Sequence, residues 1–183
     1  MEQLEESHNI GIRWRSFELR PEGSPPISPE YRKRIEAARP RFEATVRAQH
    51  GIEINAGPFG INSRPALIGA KYAEAQGAGE AYHEAVFSAY WEQAKAIDDL
   101  EVLADIAESV GLERAAFLQA LAEPAYEEAV TADVEQAYRY GLNAVPALVF
   151  EDKYLVVGAQ PYEALVQVVE QVIEERGPAT DDR

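Results

Sequence analysis

Residues 141–160, Gly-Leu-Asn-Ala-Val-Pro-Ala-Leu-Val-Phe-Glu-Asp-Lys-Tyr-Leu-Val-Val-Gly-Ala-Gln, constrain this chain more than any other stretch. Gly141 is the residue type that takes the left-handed conformation at the end of a helix. Proline has no N–H to give a ladder and is tolerated at the first position of a strand, so Val145–Pro146 marks the start of the apolar run behind it. Strands are expected at about 147–151 and 153–157, joined at Asp152-Lys153. Pro161 then opens a last helix, with Leu165, Val168, Val169, Val172 and Ile173 expected to face inward. The chain therefore closes as helix stop, strand, strand, helix.

Upstream the periodicity changes. Residues 1–8 are polar and helix-prone, with Met1, Leu4 and His8 on one face. No cap precedes them and Asn9 is placed to end them, so they read as the last two turns of a helix. Ile10–Leu19 alternates, Ile12, Trp14 and Ser16 against Arg13, Arg15 and Phe17, which predicts a strand. Residues 21–29, with four prolines, form a loop. From Ser28 to Gly141 the pattern is mainly helical, with Ile52–Gly60 irregular and Gly57-Pro58-Phe59-Gly60 as its turn. Ser28-Pro29 caps the first helix, Pro40 is expected to break or kink it, and Gly51 ends the piece that follows. Ser63 caps a helix carrying Leu67, Ile68 and Tyr72. Another runs from about Glu80 to Ala94 with Tyr82, Val86 and Tyr90 or Trp91 as its stripe. Asp98 and Glu101 suit a capping box for a helix with Leu100, Leu103, Ile106, Ala107 and Val110.

Composition removes several function classes. The formal charge is -15, and nucleic-acid binders gain affinity from Lys and Arg. The Arg32-Lys33-Arg34 cluster is bracketed by Glu30 and Glu36 and reads as a solvated helix face. No nucleic-acid partner is expected. No apolar run reaches transmembrane length, so no membrane partner is expected either. The N-terminus lacks the basic start and apolar core of a signal peptide, and the expectation is cytoplasmic. There is no cysteine, hence no disulfide, zinc–thiolate site or iron–sulfur cluster. His8, His50 and His83 share no metal-ligand spacing, and surface or half-buried positions are expected for them. Gly57-Pro58-Phe59-Gly60 and Gly77-Ala78-Gly79 lack phosphate-loop spacing. No metal, no cofactor and no catalytic residue is assigned. Trp14, Phe87, Tyr90 and Trp91 are expected in the core.

Five segments, taken in order, resemble a known family: Arg13–Leu19, Asn62–Leu67, Asp98–Leu103, Ala144–Pro146 and Val157–Pro161. The chain resembles the DsbA-like branch of the thioredoxin superfamily, in particular its cytoplasmic FrnE-type members. The resemblance covers nearly the whole chain. It implies an α/β, thioredoxin-like (DsbA-like) fold with a large helical insertion and its first strand missing. Residues 1–27 and 142–177 would form the incomplete thioredoxin-like domain, 28–141 the inserted helical subdomain and 178–183 a tail.

The family exchanges disulfides through a Cys-x-x-Cys pair at the start of its first helix, opposite a cis-proline. Carried over residue by residue, only Val145 and Pro146 have counterparts here, as substrate-binding residues, and Val145–Pro146 is expected to be cis. The partners implied are peptide or protein thiol and disulfide substrates. A central strand that is absent leaves two neighbours unpaired. The chain then re-pairs its strands, borrows one from a partner in a homodimer, or is a fragment whose start was assigned at an internal methionine.

Three functions follow from these alternatives. One is a thiol–disulfide oxidoreductase shown without its redox cysteines, inactive in exchange as it stands. Another is a non-catalytic peptide- or protein-binding module using the cis-proline groove. The third is a glutathione-dependent isomerase or transferase, similar to the 2-hydroxychromene-2-carboxylate isomerases and kappa-class glutathione transferases, with glutathione near Asn62 and Val145. For Asn62-Ser63 itself, a plain helix cap is the simpler reading.

Overall fold

A computed structural model describes residues 2–176. Eight helices and two strands follow one another among them: α1 (Glu2–His8), α2 (Pro29–His50), α3 (Arg64–Ala75), α4 (Gly79–Trp91), α5 (Leu100–Ser109), α6 (Arg114–Ala120), α7 (Pro124–Arg139), β1 (Ala147–Phe150), β2 (Tyr154–Val157) and α8 (Tyr162–Arg176). The chain divides into two units. One joins its two ends, up to Arg15 and from Glu135 onward; the other is Ser16–Val134.

The Ser16–Val134 unit is built around α3, α4, α5 and α6. Tyr72, Tyr82, Leu103 and Phe117 are buried at its centre with Ala73, Ala104 and Ala107. Burying a residue such as Phe or Leu stabilises by about 1.5–3 kcal/mol, so this cluster is the main source of the unit's cohesion. The Phe117 ring lies 6.0 Å from Tyr72 and 5.6 Å from Tyr82, and Tyr126 meets Tyr72 edge-on at 5.6 Å. Gly69 makes this approach possible. A Cβ there would stand 2.7 and 2.9 Å from ring carbons of Phe117 and closer still to the Tyr82 hydroxyl. A second cluster joins Ile68 of α3 to Val130 and Val134 of α7.

Buried charge in this unit is paired. The Lys71 ammonium lies 2.7 Å from the Asp133 carboxylate, which also accepts from the Ser16 amide at 2.9 Å. Arg64 bridges Glu18 at 2.8 Å and the Thr131 hydroxyl at 2.7 Å. Leaving either carboxylate unpaired would be costly, since an isolated charge out of water is strongly unfavourable.

In the other unit α1 lies against α8, with Leu4 and Val169 as the buried side chains of the two helices. The Ser7 and Tyr162 hydroxyls meet at 2.9 Å. Asn9 ends α1 with a left-handed φ of 48°, a conformation asparagine adopts more readily than most residues. β1 and β2 form an antiparallel hairpin in the register Ala147↔Val157, Leu148↔Val156, Val149↔Leu155 and Phe150↔Tyr154. Its turn puts Glu151 and Asp152 at φ 52° and 54°. The Lys153 amide closes it by donating to the Phe150 carbonyl at 3.0 Å.

Several expectations need correction. Ile10–Leu19 carries no strand ladder among the described residues. A strand exists only with a pairing neighbour, and here the amides of Ile12 and Ser16 donate to side-chain carboxylates, Glu5 and Asp133. Pro40 does not break α2, which runs unbroken for 22 residues. The hydrogen bond that Pro40 cannot make belongs to the Glu36 carbonyl, and on so exposed a helix solvent can take that oxygen.

The cap of α5 is Asp99, which accepts from the Glu101 amide at 2.9 Å, and not Asp98. Glu101 turns away from the cap to pair with Arg114. Ser63 makes no capping bond; Asn62 accepts from the Arg64 amide instead, at 2.9 Å. Trp14, Phe87 and Trp91 are exposed, Trp14 by 51%, and Tyr90 is half-buried. On α8, Ile173 is 47% exposed and Val169 alone is fully buried. The expected tail at 178–183 lies outside the described residues.

Candidate functional site

The corner at Val145–Pro146 is set up by the residues on either side. α7 ends when Gly141 takes φ 72°. The Leu142 amide then folds back to the Ala137 carbonyl at 3.0 Å, a closure that satisfies a last-turn carbonyl of the helix. Four residues later the chain reaches Val145–Pro146, whose peptide bond is cis. β1 begins at the next residue. The Gly158 amide donates to the Pro146 carbonyl at 2.8 Å, one step beyond the Ala147↔Val157 pair, and so anchors the proline to the hairpin. Gly158 stands at φ 82°, where a side chain would be strained. The Gln160 side chain seals the end of β2 by donating to the Val157 carbonyl at 2.9 Å.

Val145 is 50% exposed. Among the described residues, neither its N–H nor its C=O forms a hydrogen bond. The corner therefore presents one backbone donor, one backbone acceptor and an apolar side chain on an anchored frame. A donor and an acceptor of this kind are the groups through which an added extended strand makes its main-chain bonds. Thiol–disulfide exchange needs a thiolate to attack a disulfide sulfur, and this sequence supplies no cysteine for that role.

The far side of the hairpin is ionic. Glu175 of α8 accepts from both Lys153 and Tyr154. These bonds, Lys153 first, hold its carboxyl down at about 2. Tyr140 donates to Asp152 in the turn, which raises the Tyr140 phenol.

Within the Ser16–Val134 unit, Asn62–Leu67 has a structural part. Asn62 caps α3, and Arg64 is the hub that binds Glu18, Glu127 and Thr131. That hub was not foreseen, because nothing in the spacing of Glu18, Arg64 and Thr131 announces their meeting. The histidines are dispersed. His8 Nδ1 is 2.7 Å from the Ser7 hydroxyl, His50 is exposed at the end of α2, and His83 stacks on Phe87 at 4.6 Å. Burial lowers the His83 pKa, with Glu84 and Glu74 opposing it. Among the described residues no three His, Asp or Glu side chains are grouped to hold a metal ion. None of the helices there is long and apolar enough to cross a membrane.

The family model described as DSBA-like thioredoxin domain matches residues 1–170. The chain belongs to that family. A curated relative, the protein YwbO of Bacillus subtilis, is 27% identical over 156 residues, 82% of this chain and 77% of its own. Among solved structures, a probable DsbA oxidoreductase from Streptomyces coelicolor superposes with a TM-score of 0.69 at 27% identity. That match covers 80% of this chain but only 63% of the Streptomyces one. A 2-hydroxychromene-2-carboxylate isomerase superposes with a TM-score of 0.76 at 22% identity, over 96% of this chain and 87% of its own. The fold of this DsbA-like chain is thus thioredoxin-like, mostly helical, with a two-stranded sheet among the described residues.

Proposed function

We propose that this DsbA-like chain is a redox-inactive binding module that holds an extended peptide at Val145–Pro146. The observation that carries the reading is the exposed Val145, whose backbone N–H and C=O make no hydrogen bond among the described residues. Membership of a thiol-exchange family supports a peptide or protein substrate as the occupant, and the absence of cysteine supports binding without exchange. Disulfide exchange by this protein would need cysteines outside this sequence. The same reading includes a FrnE-type, cytoplasmic setting, on the strength of the sequence resemblance, and self-association as a homodimer.

The test is a titration of 15N-labelled protein with carboxymethylated insulin B chain, an unfolded polypeptide with no free thiol. The amides of Val145, Ala147 and Gly158 are expected to shift together and saturably. A saturating titration that moves none of them sinks the proposal. In parallel, dithiothreitol-driven insulin reduction is expected to run no faster with the protein than without it. Acceleration would contradict the redox-inactive part. Glutathione is the third probe. Saturable shifts at Asn62–Leu67 or Val145 with glutathione, and none with the peptide, would favour the isomerase-like alternative.

A further inference from the structure

The hairpin register decides which way each backbone group of β1 faces. Ala147 pairs with Val157 and Val149 with Leu155, and the Gly158 amide bonds the Pro146 carbonyl. In an antiparallel ladder, pairs that exchange hydrogen bonds alternate with pairs that do not. Pro146–Gly158 is of the bonded kind, so Leu148–Val156 and Phe150–Tyr154 are as well. Ala147 and Val149 therefore turn their N–H and C=O groups away from β2. No loop or side chain takes these groups among the described residues. They extend the free groups of Val145 into a row, each residue offering one donor and one acceptor. The N–H that Pro146 lacks is one that would have faced β2, so the proline leaves no gap in that row.

Proteins ordinarily blunt such an edge with a charge, an outward proline or a covering group. On β2 the Gln160 side chain does this, by donating to the Val157 carbonyl. The β1 edge has no such cover. Residues 144–150 carry no charge. The face shared by Ala147, Val149, Leu155 and Val157 is wholly apolar, and Val149, Leu155 and Val157 are exposed on it. Asp152 stands at the turn end of the same edge. It accepts from the Tyr140 hydroxyl and has no cationic partner among the described residues.

We infer that the whole β1 edge binds the peptide, and that it selects a basic residue followed by an uncharged segment with β-branched residues at alternate positions. The inference rests on the peptide site proposed at Val145–Pro146 and names what that site takes. Antiparallel addition is the more stable pairing per residue. It sets the start of the peptide beside the turn, where a Lys or Arg meets Asp152 on a chain of net charge -15. Peptide residues opposite Val149, Ala147 and Val145 carry their side chains onto the exposed apolar face. Branched residues pack well there against a pleated neighbour. A second copy on this edge would set two chains of charge -15 together and would cover Val145.

The experiment measures binding of the fluorescein-labelled, C-terminally amidated peptide Arg-Val-Ser-Val-Ser-Val to the full chain by fluorescence polarisation. In the antiparallel register its valine amides face β1 and its serine amides face away. N-methylation of its second and fourth residues is expected to weaken binding about tenfold or more, because two edge acceptors lose their donors. N-methylation of the third and fifth is expected to change it by less than about twofold. Glutamate in place of the arginine is expected to weaken it about fivefold or more at low salt. Saturating peptide is expected to slow hydrogen exchange of the Val149 amide about tenfold or more. The variant Val149→Pro removes that outward donor and no bond to β2, and is expected to bind about fivefold or more weakly.

Equal binding by the two N-methylated peptides overturns the inference and leaves the site at Val145 standing. So does a Val149 amide that exchanges as fast with peptide as without it. A glutamate peptide that binds as well as the arginine one refutes the selection of a basic residue. Protection of Val149 in the free protein that is lost on dilution puts a second copy on the edge and overturns the inference alone. If neither this peptide nor carboxymethylated insulin B chain binds, the reading at Val145 falls and takes the inference with it. Should Val149→Pro lose the hairpin, the N-methylated pair decides, since it leaves the protein unaltered.

Discussion

The hydroxyl of Tyr82 is fully buried and has no hydrogen-bond partner among the described residues. Burial drives its pKa upward, because the phenolate has nothing to stabilise it there. An unsatisfied buried polar group costs about 1–3 kcal/mol. Tyr82→Phe keeps the ring against Phe117 and removes the cost. The variant is expected to be more stable than the wild type by about 1 kcal/mol in urea unfolding. Gly69→Ala has the opposite sign, since the added Cβ runs into Phe117 and the Tyr82 hydroxyl. A loss of about 1–3 kcal/mol is expected from this overpacking. The two changes should be coupled: Gly69→Ala is expected to cost less in the Tyr82→Phe background, where its nearest obstacle is gone. A double-mutant cycle reads this directly, and strict additivity would refute the packing account.

At the scale of elements, the β1–β2 turn sets two effects against each other. Glu151 sits at φ 52°, a conformation that costs most L-residues roughly 1–2 kcal/mol and asparagine much less. Its side chain also pairs with Arg176, but both partners are largely exposed, and such pairs contribute about 0–1 kcal/mol. Backbone relief should win. Glu151→Asn is expected to stabilise the protein by about 0.5 kcal/mol or more, read from the urea midpoint at constant slope; a lower midpoint would show the ion pair dominant.

Features of this local kind were legible in the sequence. Ser28 accepts from the Tyr31 amide, Gly51 and Gly141 close their helices, and Val145–Pro146 stands at the head of a strand, because each depends on a few neighbouring residues. What could not be read depended on distant partners. Ile10–Leu19 alternates correctly but finds carboxylates instead of a strand. Trp14 and Trp91 are aromatic, yet both stay exposed, Trp91 even with the rings of Phe42 and Tyr90 beside it. Asp98 and Asp99 are equally suited to cap, and the pairing of Glu101 with Arg114 goes with the choice of the second. The cis-proline corner was visible from its own residues, whereas the Arg64 hub required the fold.

At the scale of the whole molecule, the two buried clusters lie entirely within Ser16–Val134. A chain cut to residues 16–134 is expected to fold by itself, with cooperative thermal unfolding and helical circular dichroism. A fragment without a transition would show that the helical block depends on the rest. The Ser16 amide and the Asp133 carboxylate, 117 positions apart in the chain, are joined by one hydrogen bond, and Lys71 pins the same carboxylate. The helical block is thus stitched shut at its mouth. In genetic terms, the two ends of the corresponding stretch of coding sequence meet at one spot in the product. Such a stretch can be lengthened, shortened or exchanged for another over evolutionary time while the host sees the same doorway.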